Sequence, residues 1–80
     1  MPDKIKSIND IGNAVRKKRK EAGLTLADAS ALCGVGYRFL SELENGKPTL
    51  QLGKTLKVIA GLGLELRIGS KEWLDGRKED

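Results

Sequence analysis

The chain contains no histidine and a single cysteine, Cys33. Neither a disulfide framework nor a Cys/His zinc site can therefore form within one copy. The missing imidazole leaves Ser30, Ser41 and Cys33 without an obvious general base, so no enzymatic activity, metal or cofactor is expected. No apolar run approaches the ~18 residues of a membrane span, and the charged N-terminus has no signal-peptide core. Membrane association is not expected, and a reduced cytoplasmic setting is. Gly34-Val35-Gly36 and Gly61-Leu62-Gly63 begin like nucleotide-binding loops but lack a third glycine and a βαβ setting. Internal repeats and low-complexity segments are also missing.

What is present is one small domain of 80 residues, close to the lower limit for an independent core. Helix packing has to stabilise it, with a second subunit as a further source. Fifteen Lys and Arg against eleven Asp and Glu give a formal charge of +4, which favours a polyanionic partner. The excess is uneven: Arg16-Lys17-Lys18-Arg19-Lys20 is an unbroken basic run, whereas the tail mixes signs.

Residues 1–7 read as a flexible N-terminal arm. Ile8, Ile11, Val15 and Ala22 then keep a helical period as far as Gly23, a natural C-terminal stop. Thr25 caps a second helix with Asp28 three residues on, as in a capping box. Leu26, Ala29 and Cys33 face inward along it, and Gly34 closes it. A third helix spans roughly Tyr37 to Glu44 and ends at Asn45-Gly46. After a loop at Pro48 and Thr49, Leu52, Leu56 and Ile59 mark a fourth helix ending near Gly61.

The period then changes. Leu64, Glu65, Leu66, Arg67 and Ile68 alternate apolar and polar, the pattern of a half-buried strand. A lone strand in a helical chain has no partner, and an unpaired edge is a liability. Antiparallel pairing with a second copy about Leu66 resolves this and sets Glu65 opposite Arg67 twice. A symmetric homodimer closed by an intermolecular sheet is therefore expected. Two roles fit Trp73 in the charged tail of residues 70–80: packing on the strand, or anchoring a partner protein.

The stretch from Gly34 to Lys47 carries the functional signal. Val35, Leu40 and Leu43 fall on one face of the third helix and can bury. Tyr37, Arg38, Ser41 and Glu42 fall on the other and present hydrogen-bonding tips. Joined by the short glycine turn, helices 2 and 3 make a helix-turn-helix, whose second helix fits the major groove of B-DNA. Tyr37 and Arg38 are best placed to reach base edges, with Ser41 and Glu42 one turn later. Arg38 suits a bidentate contact to guanine, which discriminates by ~1–3 kcal/mol. Glu42 can accept from cytosine or orient Arg38.

Arg16, Lys17 and Lys20 point away from the core, either to contact phosphate or as a solvated face. Arg19 falls on the inward side of helix 1, where an unpaired charge costs several kcal/mol; Glu44, inward on helix 3, is its natural partner. Asn45 and Lys47 can reach phosphate at the end of helix 3.

These residues resemble the XRE/Cro-C1 family of helix-turn-helix repressors over about Ile11 to Leu62. The matching stretches are Val15-Arg16-Lys17-Lys18-Arg19, Gly23-Leu24-Thr25, Gly34-Val35, Leu40-Ser41 and Leu43-Glu44-Asn45-Gly46-Lys47. The resemblance implies a structural salt bridge at Arg19 and Glu44, and base readout at Tyr37 and Arg38. Two positions depart from the pattern: Leu26 stands where many members have a phosphate-contacting glutamine, and Gly36 where many have serine or threonine. Gly46-Lys47-Pro48-Thr49, running into Leu56 through Leu64 and an alternating strand, is similar to the HipB-like antitoxins. That resemblance implies a dimeric repressor of its own operon that also binds a HipA-type serine/threonine kinase toxin.

The expected architecture is mostly α: a lambda-repressor-like helix-turn-helix bundle of four or five helices, with one C-terminal β-strand pairing across a homodimer. Its organisation is an arm at 1–7, a DNA-binding domain at 8–62, a dimerisation strand at 63–69 and a charged tail at 70–80. The expected ligand is double-stranded palindromic operator DNA, with half-sites ~34 Å apart. An antitoxin, an autonomous repressor and an adaptor that has lost DNA binding all fit a helix-turn-helix. Arg38 and the basic balance argue against the adaptor, while the strand and the Trp73 tail favour the antitoxin.

Overall fold

Four α-helices carry the chain from Ile8 to Gly61: α1 (Ile8–Glu21), α2 (Leu26–Cys33), α3 (Tyr37–Glu44) and α4 (Leu52–Gly61). They are seen in a computed structural model that describes residues 4–48 and 51–70. Residues 1–3 of the arm, 49–50 of the loop and 71–80 of the tail, Trp73 among them, lie outside the described residues. No helix among the described residues is long and apolar enough to cross a membrane.

The helix ends follow from local chemistry. At the start of α1 the Asp10 carboxylate accepts the backbone N–H groups of Lys6 at 2.8 Å and Ser7 at 3.2 Å, placing negative charge at the positive end of the helix dipole. Lys18, Arg19 and Lys20 fill the last turn, where cations suit the negative end. Thr25 Oγ1 accepts the Asp28 N–H at 3.0 Å and opens α2. The far end of α2 shows how every helix here stops. Gly34 adopts φ +71°, which side chains resist, and so lets the Val35 N–H reach the Ser30 carbonyl at 3.0 Å. The same turn recurs at Gly23, Gly46 and Gly63, where Leu24, Lys47 and Leu64 bond back to Arg19, Glu42 and Ile59.

One core joins the helices. It is built from Val15 of α1, Ala29 and Cys33 of α2, Leu40 and Leu43 of α3, Val58 of α4, and Leu62 just beyond it. Helix α3 packs against α1 and α2, and α2 also packs against α4. Helices α1 and α3 approach tightly at Gly12, where a Cβ would run into the Leu43 carbonyl. Nothing in the apolar periodicity marks that position.

Two details of the spacing do not carry through to packing. Ala22 fits the inward period of α1 but is exposed, because it caps the helix beyond the core. Leu52 and Leu56 mark α4 by their spacing, yet they are 64% and 44% exposed. The buried stripe of α4 is Thr55, Val58 and Ile59. Thr55 tolerates burial because its hydroxyl donates to the Gln51 carbonyl at 3.1 Å. Residues 64–70 form neither helix nor strand in the single chain. A strand needs a neighbour to bond with, and none exists among the described residues.

Candidate nucleic-acid interface

Helix α2, the turn at residues 34–36 and α3 form the helix-turn-helix unit. Burial of Leu40 and Leu43 sets the rotation of α3 and turns its other side outward. Tyr37 is exposed there, and the Arg38 side chain is 89% exposed. Ser41 and Glu42 sit one turn on, half-buried.

A small charge network crosses this face. Glu42 Oε2 accepts from Arg38 Nε at 3.2 Å and from Lys47 Nζ at 3.1 Å. The Lys47 hydrogen bond, followed by that of Arg38, holds the Glu42 carboxyl below its ordinary range. Exposed pairs of this kind contribute little stability, so what they supply here is side-chain placement. The Arg38–Glu42 pair follows the i,i+4 spacing of a helix and was legible in sequence. Lys47 lies one residue further on, past the helix end, and only the Gly46 turn brings it back to Glu42.

A second network ties α1 to the end of α3. Arg19 donates Nε to Glu44 Oε2 at 2.7 Å and Nη2 to Oε1 at 2.9 Å, with Nη1 on the Leu24 carbonyl at 2.9 Å. The bond to Glu44 raises the Arg19 guanidinium above its ordinary pKa, against the opposing pull of burial. The same carboxylate, whose side chain is only 2% exposed, also takes Arg16 Nε at 3.4 Å. Sequence spacing sends Arg16 outward, but its long stem lets the guanidinium reach back across α1. Its Nη2 donates to Asn45 Oδ1 at 3.3 Å, while Asn45 Nδ2 donates to the Ser41 carbonyl at 2.9 Å. Arg16 and Asn45 are thus already engaged with each other at the edge of the unit. Lys17 and Lys20 stand exposed on α1.

Further along the chain, Arg67 Nη2 lies 3.2 Å from Glu65 Oε1, so these two residues share a face. Leu66 is exposed and Ile68 is 93% exposed. The Cys33 thiol contacts the Val58 carbonyl at 3.8 Å, and burial pushes its pKa up, as suits a packing residue.

The helix-turn-helix family model matches residues 15–68. The uncharacterized HTH-type transcriptional regulator y4mF of Sinorhizobium fredii (strain NBRC 101917 / NGR234) is 46% identical over 68 residues, covering 85% of this chain and 90% of that protein. Among solved structures, the fold is similar to a chain of the HipA-HipB-O2-O3 complex, with a TM-score of 0.78 and 23% identity over 88% of this chain and 99% of that one. The HipB-O4 20mer complex matches with the same TM-score of 0.78, identity of 23% and coverage of 88% and 99%.

Proposed function

The chain belongs to the helix-turn-helix family of DNA-binding transcriptional regulators, and within it we propose a homodimeric repressor that reads a palindromic operator and, as a HipB-like antitoxin, also binds a HipA-type serine/threonine kinase. The observation that carries the DNA reading is the outward face of α3, where an Arg38 side chain 89% exposed stands on a helix locked into the core from behind. Tyr37, Arg38, Ser41 and Glu42 meet base edges, and Arg16, Lys17, Lys20, Asn45 and Lys47 meet phosphates. Arg19 and Glu44 hold α1 and α3 in register for both.

The dimer reading is supported by the exposed Leu66 and Ile68 and by a backbone from Glu65 to Gly69 with no hydrogen bond to another described residue. Paired about Leu66 with a second copy, Leu64 to Ile68 form a two-stranded sheet in which Glu65 faces the partner's Arg67. The organisation that follows is the arm at 1–7, the DNA-binding unit at 8–62, the strand at 63–69 and the tail at 70–80, acting in the cytoplasm. The kinase part of the reading leans on the fold likeness to HipB, one of whose complexes also holds HipA. The 46% identical relative, an uncharacterized HTH-type transcriptional regulator, supports the DNA-binding regulator common to both readings, the second being an autonomous repressor without a toxin partner.

Affinity purification of the tagged chain from its host separates the two. A near-stoichiometric kinase-sized protein together with DNA from upstream of its own gene is the antitoxin outcome, and DNA alone leaves the autonomous repressor. Binding to that DNA should weaken steeply with salt, as Lys and Arg displace phosphate counterions.

A further inference from the structure

We propose that Glu42 is a specificity gate: it occupies Arg38 and Lys47 in the free protein, and only a site offering guanine to Arg38 and an exocyclic amino group to Glu42 compensates for bringing its charge to DNA. The inference rests on the DNA-reading function proposed above and names how that face discriminates.

The geometry gives each atom a task. Both cations fall on one carboxylate oxygen, Oε2, at 3.2 Å from Arg38 Nε and 3.1 Å from Lys47 Nζ. Because Arg38 is held by Nε, its two Nη groups remain as a free fork, the geometry that guanine O6 and N7 accept. Oε1 remains able to accept a hydrogen bond, and the donors available in the major groove are the amino groups of cytosine and adenine. Lys47 is half-exposed and can exchange the carboxylate for a phosphate.

Duplex DNA without the matching bases offers phosphates and acceptor edges. Against it Glu42 is a desolvated like charge, and it competes with phosphate for Lys47. At a matching site Oε2 keeps Arg38 aimed while Oε1 accepts a hydrogen bond from the amino group, so the same carboxylate becomes favourable. Glu42 therefore lowers affinity for non-specific DNA more than for its site, which sharpens the ratio between them.

The test uses the full chain as wild type, E42Q and R38A, each selected against a randomised duplex library and then titrated on the wild-type-selected duplex and a scrambled one. Glu42 lies outside the core, so E42Q should stay folded and melt only slightly differently from wild type. The expected result is that E42Q narrows the ratio of selected to scrambled affinity about tenfold, mainly by binding the scrambled duplex more tightly, and that it also admits acceptor bases beside the guanine, because an amide donates as well as accepts. An unchanged ratio and unchanged neighbouring preference in E42Q would overturn the gate while leaving DNA reading intact. If R38A still selects the same guanine, the gate fails because Arg38 is not the reader. If wild type selects no sequence, the proposed function itself fails and the gate with it.

Discussion

Arg19 and Glu44 form a two-pronged bond at the junction of α1 and α3, with Nε 2.7 Å from Oε2 and Nη2 2.9 Å from Oε1. The remaining nitrogen, Nη1, is bound to the Leu24 carbonyl, so the guanidinium also pins the turn into α2. A carboxylate this deeply buried is tolerated because two arginines and good geometry offset its desolvation.

Removing one partner of this pair should cost more than the pair contributes. Glu44→Ala leaves Arg19 largely buried without a counter-charge, and a loss of roughly 3–5 kcal/mol is expected in urea unfolding. An unchanged midpoint would mean that the charge of Arg19 finds water without difficulty.

Gly12 and Gly53 should respond to alanine differently. In a helix, alanine is worth up to ~1 kcal/mol over glycine. At Gly12 the added Cβ meets the Leu43 backbone carbonyl, which cannot swing aside as a side chain would, whereas Gly53 has nothing within 4 Å. Overpacking typically costs ~1–3 kcal/mol, so Gly12→Ala should lower the melting temperature. Gly53→Ala should leave it unchanged or raise it.

Dimerisation through Leu64–Ile68 predicts a specific failure. Leu66→Asp places like charges at the centre of a self-paired strand, where they face each other across the two-fold axis. Sedimentation should find wild type as a dimer at micromolar concentration and the variant as a folded monomer. A wild-type monomer under those conditions would refute the sheet.

Acid should dissolve the Glu42 network. The Glu42 carboxyl is held below its ordinary value of 4.5, chiefly by Lys47 and then by Arg38. A depressed folded pKa means that the stabilisation is present above 4.5 and is lost as pH falls through the lower folded value. The difference in melting temperature between wild type and Glu42→Gln should accordingly be small at neutral pH and vanish on acidification. High salt should shrink it as well, because these charges are exposed.

Much of this molecule is legible in its sequence, and the residues show why. The helix stops are glycines that take left-handed turns, a requirement local to the chain. Val15, Ala29, Cys33, Leu40 and Leu43 announce themselves by period, and Arg19 calls for an inward acid because a buried cation needs one. What escaped was contact between distant segments. Gly12 leaves no periodic mark because its importance is that it has no side chain. Arg16 reads as an outward cation, but its stem is long enough to turn back to Glu44 and Asn45.

By itself the sequence determined the helices, their ends, the inward side of α3 and so which residues stand on its outward face, since those depend on neighbours within a few residues. Only the tertiary structure decided which stripe of α4 is buried. Leu52, Leu56 and Ile59 form a more apolar row than Thr55, Val58 and Ile59, yet the latter row faces the core. The rotation of a short helix is set by the surface it packs against and by whether a buried hydroxyl can find a carbonyl, as Thr55 does.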